Sequence, residues 1–365
     1  MKRIALLLLV LCLLLSACGR KNAEETTTTP TQTQTTAAAT GSSTEETTQE
    51  TTQETTEAVP AEFRNPLNGT LLDAPWTGRA TAVVINNYEE ALPQYGITGA
   101  DILYEFETEG GITRRLGFFG DLSAVDRVGP IRSARTFFLN AAAAYDAPLV
   151  HCGGSDYAMK SQYDFAGNRI ANWEHIDEMF NGGYFFRDEE RQANGYAYEH
   201  TLFTTGEKLV KVLEAKGYNT ENEEGTDYSL HFLEEPEWKG ETAKELTIRF
   251  RGGKKTVATF NKETGRYAIS QYGEVGIDGN TEEELETRNV LVVLAKQHNN
   301  GEHSFYDLVG LGEGYLACDG QIIPIEWQRT SVEEPFVYTT QDGEPAVLGV
   351  GNSYIAVIDG SVEYQ

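Results

Sequence analysis

Apolar positions fall into three regimes along the chain. Positions 4–15 are apolar apart from Cys12 and follow Lys2 and Arg3. From 19 to 62 the residues are mostly Thr, Gln, Glu and Ala, with Thr-Thr-Gln-Glu repeated at 47–50 and 51–54 and no aromatic before Phe63. Such a stretch cannot bury enough apolar surface to fold. Beyond it the pattern becomes that of a folded protein. Short apolar runs bounded by polar and turn residues predict strands at 80–85, 102–108, 115–119 and 148–151. Helical spacing of Phe137, Phe138, Ala141 and Tyr145 predicts a helix over 133–145. Leu209, Val212 and Leu213 predict a second over 204–216, ended by Gly217.

After the acidic stretch 234–241 the runs shorten to strand length at 246–250, 256–260, 266–270, 290–295, 314–317, 321–327, 335–339 and 353–358, separated by turns such as Arg251-Gly252-Gly253 and Asp319-Gly320. The expected class is α+β: a mixed α/β domain at 63–233, then a β-rich domain at 242–365. Close spacing favours antiparallel hairpins in the second half.

The first regime is read as a secretory signal over 1–17, because a charged start, a short apolar run and small residues precede Cys18. It is too short to span a bilayer, which takes roughly 20 residues. Leu15-Ser16-Ala17-Cys18 resembles the lipobox of bacterial lipoproteins, which implies lipidation at Cys18 and a membrane anchor on the extracytoplasmic face. Residues 18–62 are then a tether. As a flexible coil of about 45 residues it holds the head about 40 Å from the membrane on average, with a contour limit of roughly 150 Å.

Composition narrows the partners. The formal net charge is −27, and it becomes more negative when Lys2 and Arg3 leave with the signal. That balance excludes nucleic acid as a partner. With Cys12 removed and Cys18 lipidated, Cys152 and Cys318 remain, and their pairing is left open. No two of the six histidines have a recognised metal spacing, so no metal is expected; an extracytoplasmic location and the lack of a phosphate-loop motif argue against a cofactor.

Three segments carry candidate chemistry. Period-two alternation along 101–109 puts Asp101, Glu105, Glu107 and Glu109 on one face, where carboxylates can bind a hard cation, pair with arginines or do acid/base work, or simply face solvent. Arg132 and Arg135, with Ser133 between them, stand at a predicted helix start. The helix dipole disfavours cations there by a few tenths to about 1 kcal/mol, so a carboxylate or an anionic ligand should compensate. His151-Cys152-Gly153-Gly154-Ser155 follows a strand, where glycine N–H groups can approach an anion and His151 can serve as a base or a hydrogen-bond donor. It lacks the Gly-x-Ser-x-Gly elbow of a hydrolase nucleophile.

These segments, together with Ile85-Asn86-Asn87, Pro93-Gln94-Tyr95-Gly96-Ile97, Glu109-Gly110-Gly111-Ile112-Thr113-Arg114, His200-Thr201-Leu202-Phe203-Thr204 and Arg288-Asn289-Val290, resemble the YerB-like bacterial lipoproteins, a family of unknown function, in the family's order. Cys152 stands where that family usually has alanine, and Arg115 where it usually has an aromatic. The resemblance implies a lipid-anchored extracytoplasmic protein with an N-terminal α/β domain and a C-terminal β-rich domain. It supplies no reaction.

The leading expectation is a non-catalytic envelope module that binds an anionic wall component or an envelope protein through Arg114, Arg132, Ser133, Arg135, His151, Gly153, Gly154 and Ser155. The alternative is a hydrolase of wall glycan or phosphodiester bonds, with His151 and Glu105 or Glu109 as the acid/base pair. An adaptor role would rest on an exposed aromatic patch at Trp327, Tyr338 and Tyr354.

Overall fold

A computed structural model describes residues 62–161, 174–222 and 226–365. The predicted signal, Cys18 and the tether lie outside the described residues.

The protein is sheet-rich, with short helices. Val83, Val84 and Ile85 favour the strand Thr81–Asn86, where branched side chains fit a pleated surface buried on both sides. Thr113–Phe119 pairs antiparallel with it and with Ile102–Glu107, while Leu149–His151 and then His175–Asp177 extend the sheet in parallel. On the other side of Ile102–Glu107 lies a strand from far downstream, Ser353–Ile358, also parallel. Asn289–Leu294, Gly310–Cys318 and Gln321–Arg329 continue outward. Both halves of the chain thus build one sheet of mixed direction, and the second half, for which antiparallel hairpins were favoured, also contributes parallel pairs. Hydrophobic period reveals a strand but not a partner some 250 residues away.

Alternate residues of this sheet feed two cores. On one face Ile102, Tyr104, Phe106, Leu291 and Val357 pack with Phe137 and Phe138 of the helix Thr136–Ala143. On the other, Val83, Leu103, Val292 and Ala356 pack with Leu209, Val212 and Leu213 of the helix Gly206–Lys216. That second core also takes Leu246, Ile248, Ala258 and Ile269, the inward residues of a separate antiparallel sheet built mainly from Glu245–Arg249, Lys255–Asn261 and Arg266–Gln271. Each large apolar side chain so enclosed contributes about 1.5–3 kcal/mol. Of the alternatives for the carboxylates of strand 102–108, the stacking removes a solvent-facing row, because Glu105 and Glu107 are buried beneath the second sheet.

Helix Gly206–Lys216 starts where Thr205 accepts a hydrogen bond from the Lys208 N–H at 3.2 Å, and it ends at Gly217, whose φ of 68° is left-handed. Gly217→Ala puts a Cβ into that conformation and is expected to cost about 1 kcal/mol; an unchanged urea midpoint would refute it. Helix Thr136–Ala143 begins later than predicted. Ala134 is held in extended form by the Gly153 carbonyl, with Ala134 N to Gly153 O at 2.9 Å, so Arg135 precedes the helix as its N-cap and Ser133 lies outside it.

Candidate functional site

The extended segment 129–135 is laced between strand Thr81–Asn86 and the turn 152–155. Arg132 N–H donates to Val84 O at 3.0 Å, Cys152 N–H to Arg132 O at 3.1 Å, and Ser155 N–H to Ala134 O at 3.2 Å. This lacing gathers three arginines. Arg135 grips Glu109 with a two-pronged contact, Nε at 2.9 Å from both carboxylate oxygens and Nη2 at 2.8 Å from one. Glu109 therefore answers one of the cations left uncompensated by the sequence. Arg132 pairs more loosely with the exposed Glu199, its Nη1 lying 3.3 Å from the carboxylate and 3.4 Å from the Glu199 carbonyl. Arg114, on the neighbouring strand, is 5% exposed and donates Nη1 to the Ser133 carbonyl at 2.9 Å. Burial, with Arg135 and Arg132 beside it, lowers the Arg114 guanidinium to about 9, so it remains charged at neutral pH. The Nε atoms of Arg114 and Arg132 are buried without a hydrogen-bond partner.

His151 is close in sequence but differently employed. It is fully buried; Nδ1 lies 2.8 Å from Gly153 O and Nε2 3.0 Å from His175 Nδ1, with the two rings stacked. A neutral His151 donating from Nδ1 to Gly153 O accepts at Nε2 from His175. Burial lowers the ring to about 4 against the opposing pull of Asp177. Gly153 N–H in turn donates to Asp177 Oδ1 at 2.8 Å. His175 and Asp177 escaped the sequence reading because their strand is three residues long with polar ends.

Ser155 Oγ accepts the Ala158 N–H at 3.3 Å and starts a single helical turn, Tyr157–Ser161. Gly154 pairs with Ala134. Cys152 and Cys318 are both free thiols, pushed by burial to about 11 and about 12.

Glu105 belongs to another network. Its strand is three places from that of His151 in the sheet, which at about 4.8 Å per strand separates them by some 14 Å, outside hydrogen-bond reach. Glu105 is fully buried and accepts from Tyr354 OH at 2.7 Å, Asn87 Nδ2 at 3.1 Å and Lys254, and it pairs with Arg115 at 3.5 Å. Burial raises its carboxyl, but Lys254 and Arg115 outweigh that and hold it at about 2. Lys254 is lowered to about 8 by burial against the pull of Glu105. Both groups stay charged at neutral pH. Lys254 borders a cleft of about 700 Å³ between the N-terminal loops and the second sheet.

Trp327, Tyr338 and Tyr354 are buried, so they form no exposed aromatic patch. Among the described residues no cluster of three His, Cys, Asp or Glu is placed to hold a metal, and no helix is long and apolar enough to cross a membrane.

Residues 69–219 match the N-terminal domain, and 246–355 the C-terminal domain, of a protein family of unknown function, DUF3048. The chain is 27% identical over 314 residues to the putative lipoprotein YerB of Bacillus subtilis (strain 168), covering 83% of this chain and 89% of that protein. The crystal structure of YerB superposes with a TM-score of 0.69 at 26% identity, over 83% of this chain and all of that one.

Proposed function

The chain belongs to the DUF3048 family, the YerB-like lipoproteins, and on that footing we propose that it is a lipid-anchored extracytoplasmic binding module whose arginine cluster takes an anionic component of the cell wall. Anchoring through Cys18 is supported by the signal-like N terminus and by the relative's description as a putative lipoprotein. One observation carries the ligand class: Arg114 is enclosed beside Arg132 and Arg135 with two guanidinium Nε atoms lacking partners. Glu109 and Glu199 offset two of these three cations and leave the cluster net positive, so an anion lying across it is attracted and can meet the open donors. In so acidic a protein the cluster is a local positive spot, which selects for ligands that reach it rather than for anionic surfaces in general.

Non-catalytic binding is favoured over hydrolysis by the state of the reactive groups. His151 is enclosed and neutral, Ser155 Oγ is engaged with backbone, and the Cys152 thiol is raised. The separation of His151 from Glu105 weighs the same way.

The test is binding of the purified full chain in detergent to teichoic acid, against Arg132→Ala plus Arg135→Ala. Affinity is expected to fall at least tenfold, with a marked salt dependence in the unmodified protein. A folded double variant that binds as well as the parent would remove the reading.

A further inference from the structure

The cleft beside Lys254 contains a second feature with no role in the arginine cluster. Gln271 is 4% exposed and lines the cleft, yet neither its amide oxygen nor its amide nitrogen has a hydrogen-bond partner. A buried amide left open at both ends is costly, and native proteins seldom leave one without cause. We propose that this cleft is a saccharide subsite in which Gln271 receives the acetamido group of an N-acetylhexosamine.

The chemistry follows from what the walls offer. A secondary amide carries one donor and one acceptor, the complement of the open pair on Gln271. Tyr88 and Tyr272 flank the space with aromatic rings of the kind on which the apolar face of a sugar ring rests. Tyr272 is fixed there by its hydroxyl, which donates to Asn87 O at 3.0 Å. Of the two lysines that line the cleft, Lys254 is paired with buried Glu105, while Lys255 is exposed at the rim. The strand that carries Gln271 offers a peptide no free edge. Ser270 and Gln271 are paired with Val257 and Thr256 on one side and with Val275 and Glu274 on the other. Recognition therefore runs through side chains, and about 700 Å³ leaves room for a short oligosaccharide.

The experiment is calorimetric titration of the full chain in detergent with a tetramer of N-acetylglucosamine, and separately with a tetramer of glucose. The acetylated tetramer is expected to bind with a Kd of about 1 mM or tighter, and the glucose tetramer at least tenfold more weakly. Gln271→Leu should lose at least tenfold in affinity with no fall in melting temperature, because it removes an unsatisfied amide while keeping the volume. Absence of binding, equal binding of the two tetramers, or full affinity in Gln271→Leu would each overturn the proposal. Should that variant not fold, Tyr88→Ala at the cleft wall must show the same loss, and unchanged affinity there overturns it equally. Ligand and residues differ from those of the teichoic acid test, so the two readings fail separately.

Discussion

Glu105→Ala is expected to lower the unfolding free energy by about 3–5 kcal/mol, the usual cost of removing one partner from a buried ion pair. The change leaves the Lys254 ammonium and the Arg115 guanidinium enclosed without their counter-ion and deprives Tyr354 and Asn87 of an acceptor. Pairing Glu105→Leu with Lys254→Met should recover part of the loss, Arg115 still lacking its partner, and the non-additivity of the cycle measures the coupling. Equilibrium urea unfolding reads both. A loss below 1 kcal/mol for Glu105→Ala would mean that the pair is hydrated and contributes little. The carboxyl is held at about 2 in the folded state, below its ordinary 4.5. Its contribution is therefore present above pH 4.5 and lost as pH falls toward 2.

A second large effect lies at milder acidity. His151 titrates at about 4 when folded, against an ordinary 6.5, because burial outweighs the pull of Asp177. Between those two values the unfolded chain takes up a proton that the folded ring refuses. Stability is thus complete above pH 6.5 and falls by about 1.4 kcal/mol per unit, or about 3 kcal/mol by pH 4. His175, also lowered by burial and by Lys216, acts in the same direction. Urea midpoints at pH 7.5, 5.5 and 4.5 should trace the decline, and His151→Asn should flatten most of it. An identical slope in that variant would assign the acid loss elsewhere.

How legible these features were depended on how local their causes are. Strands 81–86 and 353–358 and the helix ending at Gly217 were readable because period and cap lie within a few residues. The Arg135–Glu109 pair was foreseeable from an electrostatic debt at a helix start, although the helix itself begins three residues later than its apolar spacing suggested. The alternation of strand 102–107 was plain, but alternation cannot say what covers the polar face. The second sheet does, and it turns a row of carboxylates into a buried charge network. Lys254 and Gln271 could not be found in sequence: one is an ordinary polar residue just before a strand and the other ends a strand, until two sheets stack.

The strand Ser353–Ile358 sits between Asn289–Leu294 and Ile102–Glu107, and Tyr354 meets Glu105 across 249 residues of sequence. A chain emerging from its amino end cannot seal this interior early. Until residues 353–358 arrive, one edge of Ile102–Glu107 has no partner, and the Glu105 cluster lacks Tyr354. Such distant parallel pairing is slow to form. A nascent head must therefore wait, open-edged and prone to pairing with neighbours, for a late arrival to close it, and a copy cut short before that strand loses the middle of its sheet rather than a tail.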